Sequence, residues 1–159
     1  MKTKRHFKNT QRAFTIIEII VVVMVFSIII GITGLYSQTS QLRHDVSSQT
    51  QMLASSLRLA QSNAGSGKNN EGSGIHFETN AYTLFKGNNF VDGNAENFKI
   101  ELPSTMRINN VALNGGGNDL IFLPPNGETA TFGTLDISST KIEKTLTITI
   151  YPIGNVSYK

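Results

Sequence analysis

From Phe14 the chain runs apolar for the length of a membrane span: Phe14-Thr15-Ile16-Ile17-Glu18-Ile19-Ile20-Val21-Val22-Val23-Met24-Val25-Phe26-Ser27-Ile28-Ile29-Ile30-Gly31. A stretch this long and this apolar belongs in lipid or in a core made of helices. Ile, Val and Phe each gain roughly 0.3 to 0.6 kcal/mol at the centre of a bilayer, whereas a carboxylate costs roughly 2.5 to 3.5. The run therefore tolerates Glu18. Tolerance does not explain presence, and an ionisable group inside such a segment calls for a functional partner.

Lys2, Lys4, Arg5, Lys8 and Arg12 precede the run, with no acid among them. Positive residues flanking a first membrane helix stay cytoplasmic, which predicts that the C-terminal portion lies outside the cytoplasmic membrane. The sequence pI near 9.3 belongs to this leader. From Phe14 onward nine Lys or Arg stand against eleven Asp or Glu, a net charge of −2.

A small residue, Phe, Thr, two apolar residues and Glu, behind a short basic leader and ahead of an apolar run, resembles the N-terminus of type IV prepilins. The resemblance implies that a prepilin peptidase cuts between Ala13 and Phe14. It also implies that the new amine of Phe14 is methylated, and that Glu18 becomes the fifth residue of the mature chain. In that family the residue before the cut is usually Gly. Alanine is the next smallest side chain, so slower processing is expected. The competing readings are a plain signal-anchor helix with an accidental glutamate and a cleaved secretory signal. The second needs a short apolar core and an A-x-A-like site, which residues 31–36 do not offer.

The organisation predicted along the chain is a basic leader over 1–13 and a transmembrane or filament-core helix over 14–36. An amphipathic continuation over 37–64, a Gly/Asn/Ser-rich loop over 65–74 and a β-rich domain over 75–159 follow. At about 1.5 Å per residue the first helical segment is roughly 34 Å long. Leu42, Val46, Gln49, Leu53, Leu57, Ala60 and Ala64 recur at spacings of three and four, one narrow stripe suited to packing on a globular domain. The simplest arrangement is one helix from Phe14 to about Ala64. Two helices hinged near Gly34 are the alternative.

From Ile75 the period changes to two, with strands around Ile75–Phe77 and Tyr82–Leu84 joined by a turn at Thr79-Asn80-Ala81. Further strands are expected at residues 98–102, 106–113, 145–151 and 156–158. Leu120-Ile121-Phe122-Leu123, Pro124-Pro125-Asn126-Gly127 and then residues 129–132 read as a hairpin, because Asn-Gly is a strong hairpin signal. The count is seven to nine strands and no second helix. The fold class is α+β, with a long N-terminal helix on a small antiparallel sheet or two-sheet sandwich. The Pro-Pro-Asn-Gly turn, the final strand into Gly154-Asn155-Val156 and the helical segment 56–64 are similar to the GspH/FimT type of minor pseudopilin.

Reactive groups are sparse. Cysteine is absent, which removes disulfides, zinc thiolates and thiol nucleophiles. His6, His44 and His76 lack metal-ligand spacing, and no G-x-S-x-G elbow or phosphate-binding loop occurs. Gly65-Ser66-Gly67 and Gly115-Gly116-Gly117 read as turns. Residues 92–96 have a faint oxygen-ligand spacing, but they lack the remaining ligands of a calcium loop. From Gly65 to Lys159 seven bases face nine acids, so phosphate-driven nucleic-acid binding is disfavoured. The expectation is a non-enzymatic subunit of a type IV pilus or a type II secretion pseudopilus, without cofactor or metal. Its partners are prepilin peptidase, other pilin subunits and the membrane. The alternatives are a membrane-anchored binding module and a competence-pilus subunit for DNA uptake.

Overall fold

The structure, a computed structural model, describes residues 14–66 and 70–159, with the side chains of residues 33–39 outside the description. The expected leader, with Ala13, therefore lies outside the described residues. The chain divides into two compact units, residues 1–38 and 39–159.

One α-helix, α1 (Ile16–Gly65), crosses that boundary. Its part in the second unit buries Val46, Thr50, Leu53, Ala54, Leu57, Ala60 and Ala64. Five of these are the expected apolar stripe. Gln49 and Leu42 are only half-buried, and Thr50 takes the buried polar place instead. It does so because its hydroxyl donates to the Val46 carbonyl at 2.8 Å, so no polar atom is orphaned.

Eight strands follow: β1 (Ser73–Phe77), β2 (Ala81–Lys86), β3 (Phe98–Glu101), β4 (Met106–Leu113), β5 (Asp119–Phe122), β6 (Gly133–Ser139), β7 (Thr145–Ile150) and β8 (Val156–Tyr158). They form two four-stranded sheets, ordered β3-β2-β1-β5 and β4-β6-β7-β8. All pairings are antiparallel. Alternation sets the inner faces: Ile75 and Phe77, Tyr82, Leu120 and Phe122 from the first sheet, Leu135, Ile137, Ile148 and Ile150 from the second. With the helix stripe they make one apolar cluster.

The expected hairpin over residues 120–132 does not form. β5 pairs with β1, a single bridge joins Leu123 to Glu128, and residues 129–132 are not a strand. Threonine hydroxyls divert the ladder here. Thr131 Oγ1 accepts from the Ile121 N–H at 3.0 Å, and Thr129 Oγ1 accepts from the Thr131 N–H at 3.1 Å. Side-chain acceptors so placed compete with strand pairing. The chain then enters the other sheet as β6, a strand absent from the sequence-based reading although Leu135 and Ile137 alternate with Thr134, Asp136 and Ser138.

β6 meets β4 across a bulge between Asn109 and Ala112. Asn110 there has φ +50°, a region asparagine tolerates, and its Nδ2 donates to Asp136 Oδ2 at 2.8 Å. At the helix end, Arg58 donates to the Val156 carbonyl at 3.2 Å and Gln61 Nε2 to the Ile153 carbonyl at 3.3 Å. The C-terminal turn is thereby tied to α1.

The loop between β2 and β3 folds back over the outer face of the first sheet. Phe90 stacks on His76 with ring centroids 4.1 Å apart and planes 5° from parallel. The same ring meets the edge of Phe85 at 5.6 Å. Phe90→Ala is expected to cost about 2 kcal/mol and to speed amide exchange over residues 87–97 while leaving β1 and β2 protected. Unchanged exchange in that loop would show that the aromatic stack does not hold it.

Candidate assembly segment

Every described residue from Phe14 to Ile32 is exposed, including Phe14 at 77% and Ile16 at 81%. An apolar surface of this extent does not persist in water and marks a membrane or protein contact. Among the described residues, no helix is long and apolar enough to cross a membrane. The apolar run with described side chains stops at Ile32, short of the about 20 residues a span needs. The remainder of the expected span, through position 36, lies outside the described side chains.

The start of α1 is built by Thr15. Its carbonyl accepts from the N–H groups of Glu18 and Ile19 at 3.1 and 3.3 Å, and its Oγ1 accepts from the Glu18 N–H at 3.4 Å. Thr15-Ile16-Ile17-Glu18 is thus the Ser/Thr-x-x-Glu pattern of a capping box, a local signal that the sequence-based reading passed over. Glu18 falls in the first turn, where a negative side chain is favoured by the helix dipole, by about 0.3 to 1 kcal/mol at an exposed site. The carboxylate therefore already has one local reason to be there. Of the ion pairs among the described residues, none involves Glu18. Further along, Ser27 satisfies its hydroxyl on the Val23 carbonyl at 2.8 Å.

The other candidate groups do not converge. His6 lies outside the described residues, and His44 is exposed on α1. His76 Nδ1 faces Asp119 Oδ1 at 2.5 Å, with Phe90 covering the ring. That pair is separated by 43 positions, so no sequence spacing announces it. In the 92–96 loop, Asp92 Oδ1 accepts from Gly93 N–H and Asn94 Oδ1 from Glu96 N–H, both at 3.0 Å. Glu96 pairs with Lys86 at 3.3 Å. Their oxygens are turned to local donors, and among the described residues no three His, Cys, Asp or Glu side chains group as a metal site. Tyr82, buried behind the helix, has its phenol pKa pushed up from 10.0 by burial, partly offset by its contact with Ser56.

Residues 8–34 match a family described as the prokaryotic N-terminal methylation motif. The match spans the basic approach, the Ala13–Phe14 junction, Thr15, Glu18 and the exposed apolar run. Residues 8–34 thus carry a type IV pilin-like N-terminal motif. Comparison with curated proteins and with solved structures gave no match. An exposed apolar segment inside a prepilin motif points to a structural subunit and implies a processed precursor.

Proposed function

We propose that this pilin-like chain is a minor subunit of a type IV pilus or a type II secretion pseudopilus, of the GspH/FimT type. In this reading prepilin peptidase removes residues 1–13 by cutting between Ala13 and Phe14, and the Phe14 amine is methylated. Residues 14–36 anchor the precursor in the cytoplasmic membrane with the leader inside. Residues 37–64 carry the helix onto the β domain, residues 75–159, outside it. On assembly the segment exchanges lipid for neighbouring helices, and Glu18 pairs with the Phe14 amine of an adjacent subunit. A carboxylate in low dielectric is costly alone, and an ammonium partner recovers much of that cost. Requiring the pair would also fix the axial register between subunits.

The observation that carries the reading is the exposed apolar stretch from Phe14, with Glu18 in the first turn of α1, inside the matched motif. The test replaces residues 14–36 by an unrelated membrane anchor and measures recovery of the protein in sheared filaments. The reading predicts loss from filaments with the β domain still folded. Full function with the foreign anchor would instead establish a tethered binding module.

A further inference from the structure

One edge of the first sheet is open beside the helix. Among the described residues, β3 has β2 on one side and no strand on the other. The Leu102 N–H bonds to the Asn80 carbonyl at 2.8 Å, and the register sets Ile100 opposite Tyr82 and Phe98 opposite Leu84. The alternation of an antiparallel ladder then turns the backbone groups of Lys99 and Glu101 away from the sheet. Between this edge and α1 lies a groove of about 620 Å³ whose apolar lining is Met52, Tyr82, Phe98 and Ile100. Phe98 is 65% exposed and Met52 49%, a paired apolar exposure that a solvated edge does not need.

The other face of the same strand is acidic. Lys99 Nζ is held by Glu78 at 2.7 and 3.0 Å, and Glu101 and Asp92 are near enough to act on the same ammonium. Of the three carboxylates that act on this ammonium, Glu78 is the one in contact with it. Apolar on the helix side, acidic on the outer side and with open backbone groups between, the edge specifies the complementary strand.

We propose that the β3 edge docks an extended segment of a partner protein in which apolar and basic residues alternate. Such a segment would add a fifth strand by bonding to the backbone of Lys99 and Glu101. Its apolar side chains would enter the groove against Phe98 and Met52, and its basic ones would face Glu78 and Glu101. Main-chain bonds supply affinity in this mode and the alternate side chains supply selectivity. The shortness of β3 and its two charged side chains discourage the edge from pairing with its own copies.

The test uses full-length protein in detergent micelles, with protein-free micelles as the blank. A fluorescent nonapeptide alternating Val and Lys is compared with one alternating Val and Glu, and with the Val–Lys peptide carrying a central Pro. The Val–Lys peptide should bind at least about tenfold more tightly than either counterpart and slow amide exchange at Lys99 and Glu101. Phe98→Ala should weaken it about tenfold. Lys99→Pro, which removes an outward N–H without touching the β2 ladder, should abolish it. Equal binding of the Val–Glu peptide, or protection elsewhere, would overturn the proposal. So would peptide-independent protection that grows with protein concentration, because the occupant would then be a second copy.

Discussion

Glu18→Ala is expected to insert, to be cut by prepilin peptidase, and to enter filaments at least about tenfold less than the unsubstituted chain. Breaking a buried charge pair costs about 3 to 5 kcal/mol because the partner is left uncompensated, more than enough for that loss. The capping geometry at Thr15 supplies a competing explanation, and Glu18→Gln separates the two. Glutamine serves a capping box as glutamate does but carries no charge to neutralise an ammonium. The pairing account predicts that the Gln variant fails as badly as the Ala variant. If Gln assembled normally and Thr15→Ala failed instead, the helix start rather than the ion pair would be the requirement. A lost N-cap alone costs about 1 kcal/mol, so its effect on incorporation should be several-fold at most.

Gly133→Ala is the substitution expected to damage the β domain most. A Cβ at this position would run into the Ala112 carbonyl and lie 2.9 Å from Leu113 Cα. Both are backbone atoms of β4, immediately after the bulge, so neither can move aside as a side chain would. β6 is a central strand, paired on one side to β4 and on the other to β7. A shift here disturbs both ladders. The expected loss is about 3 kcal/mol or more, read as a lowered denaturation midpoint of the β domain. Gly31→Ala is the control. It meets nothing within 4 Å and sits in a helix, where alanine is favoured, so the same measurement should show no loss.

Much of the fold was legible from period and turn chemistry. Ile75–Phe77, Tyr82–Leu84 and residues 145–150 alternate because each strand turns one face to the core, whereas residues 98–101 alternate at a sheet edge where Phe98 stays exposed. What escaped the sequence was set by partners far along the chain. The Asn126-Gly127 turn signalled a hairpin, but the hydroxyls of Thr129 and Thr131 redirect the N–H groups that would have closed it. Thr50 stands outside the expected stripe yet is buried, because its hydroxyl is satisfied inside its own helix, a pairing that composition does not reveal. His76 was read as an isolated histidine in a strand. Its partners, Asp119 and Phe90, arrive from β5 and from a loop. At the N-terminus the reverse held: Thr15-x-x-Glu18 was a local signal in plain view, hidden by the larger puzzle of a carboxylate in an apolar run.

The central claim is that this chain is a processed precursor whose new N-terminus begins at Phe14. The most direct test is the intact mass of the protein extracted from its own membranes in cells with an active prepilin peptidase. The account predicts the mass of the chain from Phe14 to Lys159 with one added methyl group. The mass of the full chain, with residues 1–13 retained, would contradict it: Ala13 would then have blocked the cut, and the apolar helix would be an anchor rather than an assembly element.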